Sequence, residues 1–277
     1  MNTRLIKTNP ILALVVFVFA CTCSHLSFSA DRILYVNDSD WPPYFFKGEG
    51  NDLPGLGKEL LSHCISQTDY RIDYTYYPLK RMRKYIEQGV IDTNIYSFRK
   101  EREAFLYYGH EPWFQSSYRP ISLKKSKLKI NDLSSFNKLR VGHLAGLRYS
   151  PAYYSYIKSR EQQGNLVTVD STDALFELLL KGRIDVFVNT KESVVWQATQ
   201  KGLLDQISIL DYEIKTSDYF FTVSKKSSRI QKKQRFIRDM DNCVRMIKQN
   251  GKYQKIAEKY GLKELSATEL KTMKSRY

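Results

Sequence analysis

The chain contains 277 residues, carries a formal net charge of +15 and is 42% hydrophobic. This apolar content supports a packed core and excludes an intrinsically disordered chain, and the length exceeds that of one ordinary domain, so we expect two lobes. A basic chain also invites a nucleic-acid partner. We predict none, because Lys and Arg recur on helix-like stretches from end to end, as on a solvated face.

The N-terminal segment, residues 1–29, has the order of a secretory signal peptide. Two cations, Arg4 and Lys7, precede the apolar run 11–20 and a short polar stretch. The apolar run is too short for a spanning helix, which needs ~20 residues. A lipoprotein anchor at Cys21 is the alternative, although the bulky residue two places earlier disfavours it. The segment therefore predicts a free periplasmic protein.

The first predicted elements after this segment are a strand, a loop and a helix. The strand is RILYVND, residues 32–38, and it ends in polar side chains. We predict an extended loop for WPPYFF, because Pro42 and Pro43 exclude a helix. The helix GLGKELLSHCISQ follows, and four of its side chains are predicted to face inward: Leu60, Leu61, Cys64 and Ile65.

One pattern occurs twice, in LKRMRKYIEQGVIDTNIY and in TDALFELLLKGRIDVFVN. Each copy has an amphipathic helix, a glycine, one further residue, Ile-Asp and an apolar strand. Gly89 and Gly182 stand where a helix ends in a left-handed residue, which glycine adopts at the least cost. The strands entered at Ile91 and Ile184 are apolar enough for a sheet covered on both faces. The pattern predicts α/β lobes with parallel strands, with one copy in each lobe.

Two further elements complete the predicted α/β fold. KLRVGHLAG is interpreted as a strand and a glycine turn that open the sheet of the second lobe. FIRDMDNCVRMIKQNGKY predicts a helix closed by Gly251. Its apolar residues recur at three- and four-residue spacing and should face the core: Ile237, Met240, Val244 and Ile247.

Four landmarks occur in order along the chain: NDSDWPPYFF, GVIDTNIYSFRKEREAFLYYGHEPW, LSSFNKLRVGHLAG with GRIDVFVN, and MIKQNGKYQKIAEKYG. Together they resemble the extracytoplasmic solute-binding proteins of family 3, the polar amino-acid-binding type. The resemblance implies the class II periplasmic-binding-protein fold, in which two Rossmann-like α/β lobes are joined by two crossing hinge strands. Residues 30–116 and 218–277 would then form the first lobe and residues 117–217 the second. The hinge is predicted near residues 115–119 and 217–221.

The resemblance assigns a role to the cationic stretch FRKEREAF. In the family, an Arg at the start of the helix after the Gly-x-Ile-Asp strand binds the carboxylate of the ligand, and Arg102 matches that position. A guanidinium presents two parallel donors to a carboxylate. The helix N-terminus would add free N–H groups and a favourable dipole. Arg99 and Lys100 are interpreted as charges at the rim of the site.

Further ligand contacts in the first lobe are implied by matching: Trp41, Tyr44, Asp38, Tyr96, Ser97 and Arg81. Trp41 falls where the family places an aromatic side chain over the ligand. Tyr96 and Ser97 lie on the strand end whose backbone and hydroxyl groups contact the ligand. Core packing is an equal alternative for Trp41 and Tyr44, and a surface helix charge is the alternative for Arg81.

The second lobe departs from the family pattern at two positions. Gly146 is followed by Leu147, where amino-acid-binding members commonly have a Thr that supports the carboxylate. Thr190 stands where they have an Asp that pairs with the ligand's ammonium. Without that Asp, an ammonium would enter a closed cleft unpaired, at a cost of several kcal/mol. We therefore predict that an unmodified amino acid is not the ligand, and that Arg148 and Tyr149, close to the position of the missing Thr, contact a second anionic group. Thr190 is predicted as a further ligand contact.

The resemblance implies a periplasmic solute-binding protein that captures a small carboxylate-bearing or otherwise anionic ligand for an ABC-type importer. Two alternatives stay open: a binding protein that presents its ligand to a membrane sensor, and a dehydratase-like enzyme on the same fold. The sequence contains no nucleophile elbow, His-Glu-x-x-His site or phosphate loop. We predict no enzyme activity, cofactor or metal, and a monomer whose partner is an importer permease or a membrane sensor.

Two cysteines stay in the chain once the signal peptide is removed, Cys64 and Cys243. The periplasm is oxidising, so a pair of cysteines there tends to form a disulfide. Under the family fold, the helices that carry them belong to the same lobe, which predicts a bridge between them. Two unpaired core thiols are the alternative.

Overall fold

The structure is a computed structural model, and it describes residues 32–48 and 52–262. The predicted signal peptide and the alternative anchor at Cys21 lie outside these residues. Strands and helices alternate along most of the described chain. The elements up to the first crossing strand are β1 (Arg32–Asn37), α1 (Leu56–Ile65), β2 (Tyr70–Thr75), α2 (Leu79–Gln88), β3 (Thr93–Ser97), a 3-10 helix (Lys100–Ala104) and β4 (Leu106–Leu123).

The remaining elements form the second lobe and then return to the first. Two short 3-10 helices lead into the second lobe, at Lys124–Ser126 and Ser134–Phe136. The second lobe continues with β5 (Val141–Leu144), α3 (Pro151–Gln162), β6 (Leu166–Val169), α4 (Thr172–Leu180), β7 (Val186–Thr190), α5 (Lys191–Gln200) and β8 (Ile207–Ile209). The returning elements are β9 (Lys215–Ser224), α6 (Lys233–Gln249) and α7 (Lys252–Lys259).

The strands of the described chain form one continuous sheet in the order β2-β1-β3-β9-β4-β7-β5-β6, with β8 paired to β4. The pairs of β1 with β2 and β3, and of β5 with β6 and β7, are parallel. Strands β4 and β9 are antiparallel, with partners from Leu106 and Ser224 at one end to Tyr118 and Lys215 at the other. A group of parallel strands lies on each side of this pair: β1, β2 and β3 on one side, and β5, β6 and β7 on the other. The predicted fold class, α/β with two lobes joined by two crossing strands, is confirmed.

The repeated Gly-x-Ile-Asp pattern has a structural role in both lobes. Gly89 ends α2 with φ 76°, and a Cβ there would lie 2.4 Å from the carbonyl oxygen of Lys226, so only glycine fits. Asp92 then accepts hydrogen bonds from Tyr35 N (2.9 Å) and Ser227 Oγ (2.6 Å). The second-lobe counterpart, Asp185, accepts from the backbone N and the guanidinium of Arg140. Each Asp therefore ties its buried strand to a neighbouring segment.

The core of the first lobe lies between the sheet and the helices α1, α6 and α7. All four side chains predicted to face inward on α1 are buried, and so are the four predicted on α6. The predicted bridge is confirmed: Cys64 and Cys243 form a disulfide with a Cα–Cα distance of 5.7 Å. It joins α1 to α6, which returns from the second lobe, and so fastens the end of the chain to the first lobe.

Two local predictions are wrong. The WPPYFF segment contains no helix, as expected, but it is a tight turn: Trp41 N donates to Phe45 O and Phe45 N donates to Trp41 O, both at 2.9 Å. The helix expected at Arg102 is one 3-10 stretch of five residues, Lys100–Ala104, because the chain enters strand β4 at Leu106. It is too short to supply a helix dipole at the ligand.

Candidate ligand-binding cleft

The two lobes meet where α5 of the second lobe contacts the first lobe. The indole Nε1 of Trp41 donates to Thr190 Oγ1 at 3.3 Å, and Ser193 Oγ donates to Pro42 O at 2.5 Å. One turn further along α5, Trp196 packs against Phe46 at a ring distance of 5.5 Å. The WPPYFF turn, whose shape is fixed by its own backbone hydrogen bonds, is therefore the first-lobe surface on which the second lobe closes.

An aromatic cluster forms one wall of this junction. The Trp41 ring lies 4.5 Å from Tyr44, 4.9 Å from Tyr219 and 5.8 Å from Phe114. Tyr44 is fully buried and donates its hydroxyl to Gln115 O on β4 at 2.8 Å. Trp41 is half-buried and forms the outer layer of the cluster. Of these side chains, Trp41 is the half-buried one, while Tyr44 packs behind it in the core.

Arg102 lies on the 3-10 helix that follows β3 and binds the backbone at the last residue of that strand. Its Nη1 donates to Ser97 O at 2.9 Å and approaches Ser97 Oγ at 3.4 Å, and its guanidinium lies 5.0 Å from the centre of the Tyr96 ring. The structure thus brings together three of the predicted contacts. Within residues 32–48 and 52–262, no carboxylate forms an ion pair with Arg102. The guanidinium is half-buried and has more N–H donors than its hydrogen bonds to Ser97 use.

Arg99 reaches across the junction, although the sequence indicated a charge at the rim. Its Nη2 donates to the carbonyl oxygen of Arg148 in the second lobe, and its side chain is 22% exposed. The exposed Glu101 lies 3.9 Å away. Burial, followed by the neighbouring Arg102 guanidinium, lowers the pKa of Arg99. Lys100 does point to solvent and pairs with Glu103 at 2.9 Å.

A third cation, Lys215, was not predicted from the sequence. It is half-buried at the start of β9, where it is the register partner of Tyr118 on β4. Burial, followed by Arg99 and Arg102, lowers the pKa of the Lys215 ammonium. Nothing in the stretch YEIKTSDYFF distinguishes this lysine from a charged residue in a surface loop, so the local sequence does not identify it as a site residue. Its place in the cleft depends on pairing between two strands that are distant in sequence.

The other predicted contacts are placed in different surroundings. Asp38 forms a buried ion pair with Lys58 at 2.5 Å. Arg81 is exposed on the first turn of α2. Tyr149 is buried in the second lobe and donates its hydroxyl to Val188 O at 2.8 Å. Arg148 is exposed, and its guanidinium lies 4.7 Å from the ring centre of Tyr154, so its contribution at the junction is the carbonyl group bound by Arg99.

Sequence matching also missed a buried acid on the second lobe. Glu192 lies two residues after Thr190, and its Oε2 accepts from Ser116 Oγ at 3.2 Å and Ser117 N at 3.4 Å, both on β4. Burial raises the pKa of Glu192 to about 7. The position matched to the family's acidic residue is Thr190, so the pattern gave no reason to consider Glu192. Its carboxylate ties the start of α5 to the strand at the predicted hinge.

Two general features bear on what the cleft can do. In the part of the chain that the structure describes, no group of three or more His, Cys, Asp or Glu side chains is arranged to hold a metal ion. No helix among the described residues is long and apolar enough to cross a membrane.

Comparisons with known proteins agree with this geometry. The chain is 23% identical over 239 residues to ABC transporter arginine-binding protein 1 of Escherichia coli strain K12, covering 84% of this chain and 91% of the relative. A substrate-binding protein of an ABC uptake transporter from Streptococcus pneumoniae, solved with bound histidine, has a TM-score of 0.67 at 15% identity, over 84% of this chain and 94% of that one. A histidine kinase sensor domain similar to periplasmic binding proteins has a TM-score of 0.65 at 16% identity, over 83% and 96% of the two chains.

These solved structures share the class II periplasmic-binding fold with this chain. The family model of the bacterial extracellular solute-binding proteins, family 3, matches residues 33–263, nearly all of the part of the chain that the structure describes. The chain belongs to the bacterial extracellular solute-binding proteins of family 3.

Proposed function

We propose that this protein is a periplasmic binding protein that captures a small ligand bearing a carboxylate or another anionic group between its lobes and delivers it to an ABC-type importer. The observation that carries the proposal is the half-buried Arg102 guanidinium at the lobe junction, which has no ion-pair partner among the described residues. Buried charges in proteins are normally paired. A ligand carboxylate would complete the pairing.

The surrounding groups support an anion more than a cation. Arg99 lies close enough to Arg102 that each guanidinium disfavours further positive charge at the junction. Thr190, at the position where relatives would pair an ammonium, uses its hydroxyl to accept from Trp41. Of the proteins named above, one is an arginine-binding protein and another was solved with bound histidine, and both of these ligands carry a carboxylate as well as cationic groups. We propose that this chain keeps recognition of the carboxylate and has lost that of the ammonium.

A sensory role is the second candidate. It is favoured by the similarity to a histidine kinase sensor domain, which matches 83% of this chain. Both roles need the same two lobes and the same ligand site, so the proposal for the cleft is common to them. A catalytic role has no comparable support, because the cleft residues described above form no nucleophile–base pair.

Mass spectrometry of small molecules released from the purified protein tests the proposal. We expect release of one anionic compound, which is recovered unchanged after incubation and raises the melting temperature when added back to ligand-free protein. Release of a cationic or neutral compound that binds equally well would overturn the anionic assignment. Conversion of the compound during incubation would show an enzyme instead of a carrier.

A further inference from the structure

Lys215 lies on the face of the sheet that carries the aromatic wall of the cleft. Side chains alternate along a strand, so Lys215 and Tyr219 of β9 point to the same side. The Tyr219 ring contacts Trp41 at 4.9 Å, and its hydroxyl is 2.7 Å from that of Tyr118, the register partner of Lys215. The Lys215 ammonium therefore lies on the same side of the two crossing strands as Trp41, the side chain predicted to cover the ligand.

The Lys215 ammonium has no hydrogen-bond or ion-pair partner in the described part of the chain. The neighbouring charges are two more cations, Arg99 and Arg102, and together they lower the pKa of Lys215 after the effect of burial. Acids near these groups are the exposed Glu101, 3.9 Å from Arg99, and the buried Glu192, whose carboxyl accepts hydrogen bonds from Ser116 and Ser117 on β4. Three cations from two segments, the stretch FRKEREAF and the start of β9, thus converge with a deficit of negative charge.

We propose that Lys215 is a specificity-determining residue that binds a second anionic group of the ligand, so that the cleft selects small dianions over monoanions of the same size. Arg102 binds one anionic group, and Lys215, with Arg99 beside it, binds the other. A single carboxylate would leave at least one of these half-buried cations unpaired, and an unpaired buried charge is unfavourable. A guanidinium fork and a compact ammonium can bind two separate groups at once.

This inference rests on the proposed function, because it assumes that the anion binds in the same cleft. It goes further in two respects. It assigns two negative charges to the ligand, and it assigns Lys215, on the crossing strand β9, to bind one of them. Arginine carries a cationic side chain, so the same cluster should reject it. The ligand class expected here is therefore a dicarboxylate or a phosphorylated or acidic small molecule, recognised through two anionic ends.

Probe pairs of equal length, a dianion against a monoanion, test the assignment: succinate against butyrate and glutarate against pentanoate. Their binding to ligand-free protein is measured by thermal shift and calorimetry at matched ionic strength. We expect at least one dianion to bind about tenfold more tightly than its monoanionic partner, as for a charge pair in a closed site. Lys215→Met should abolish that preference, because the affinity for the dianion falls to that for its monoanionic partner. Lys100→Met also removes one lysine, but from an exposed site where it pairs with Glu103. This control variant should keep the preference.

The outcomes separate this inference from the function on which it rests. Two results would show that Lys215 does not bind a second anionic group: monoanions that bind the wild type as tightly as their dianionic partners, or a Lys215→Met protein that keeps the preference. Neither result would contradict binding of an anion by Arg102. If no anion in the panel binds, the assignment of a dianion to the cleft is overturned together with its use of Lys215. A ligand that binds with Arg102 intact and carries a net positive charge would overturn both proposals.

Discussion

The indole Nε1 of Trp41 and the hydroxyl of Thr190 form a 3.3 Å hydrogen bond between the first lobe and the start of α5 in the second. Trp41 is also the outer ring of the aromatic cluster, so the residue that we propose covers the ligand is the residue that contacts the opposite lobe. We therefore expect ligand binding and lobe closure to be coupled through this side chain.

Removing either partner of this hydrogen bond should loosen the contact between the lobes. Trp41→Phe and Thr190→Val should each lower the free energy of unfolding, and their coupling in a double-mutant cycle should be about 1 kcal/mol, the usual net worth of a hydrogen bond. Denaturant unfolding of the four proteins measures this. Fully additive effects would show that the two groups do not interact in solution.

The hinge is predicted to lie where β4 and β9 cross between the lobes, near residues 115–119 and 217–221. Ser116 and Ser217 are register partners there. Adding the released ligand to ligand-free protein should reduce the radius of gyration in solution scattering without changing the helix content. The same addition to Arg102→Ala should leave the radius unchanged. Tight binding with no compaction in the wild type would indicate a rigid cleft.

The disulfide between Cys64 and Cys243 joins positions with a sequence separation of 179 residues. In the chain-entropy model a bridge of this span stabilises by roughly 5 kcal/mol, which is an upper figure. Reducing agent should lower the free energy of unfolding of the wild type by several kcal/mol. The double variant Cys64→Ala, Cys243→Ala should be unaffected by reducing agent, and a wild type that is equally unaffected would contradict a stabilising bridge.

Glu192 should make stability depend on pH. Burial raises its pKa from 4.5 to about 7, so the folded protein binds a proton more tightly than the unfolded chain does. The resulting stabilisation is fully present below about pH 4.5 and is lost as the pH rises through 7, and a shift of this size corresponds to roughly 3 kcal/mol. Glu192→Gln keeps an acceptor for Ser116 and Ser117 but cannot titrate.

Unfolding of the wild type and Glu192→Gln at several pH values isolates this effect, because every other titrating group is common to both. The free energy of the wild type should fall relative to that of the variant between pH 4.5 and 7. Glu177→Gln, at an exposed position on α4, is the matched control and should follow the wild type. Parallel curves for the wild type and Glu192→Gln would contradict a buried, titrating Glu192.

Much of the fold could be predicted from the sequence, because its signals are local and repeated. The glycines at Gly89 and Gly182 mark helix ends, and both have positive φ in the structure. The apolar spacing on α1 and α6 identified the buried faces. The helix expected at Arg102 failed because KEREAF has helix-forming residues, yet strand pairing of β4 from Leu106 limits it to a 3-10 turn.

The site was harder to predict, because it is assembled from segments that meet only in the folded protein. Arg102 and Trp41 were found through the family resemblance, and the structure places both at the lobe junction. Lys215 reaches the cleft through its pairing with Tyr118. Glu192 was missed because matching the sequence to the family pattern, position by position, points to Thr190 alone. In the structure, the first turn of α5 places the Glu192 side chain, two residues later, against β4.

The central claim is that Arg102 holds an anionic group of the ligand, and calorimetric titration of Arg102→Ala with the released ligand tests it most directly. Loss of a charge-assisted contact in a closed site costs on the order of 2–5 kcal/mol, so binding should disappear while circular dichroism and the unfolding midpoint of the ligand-free protein stay close to those of the wild type. Arg102→Lys should bind weakly, because an ammonium keeps the charge and loses the fork. Arg83→Ala, at an exposed position on α2 paired with Glu87, should bind like the wild type. Unchanged affinity in a folded Arg102→Ala protein would contradict the account.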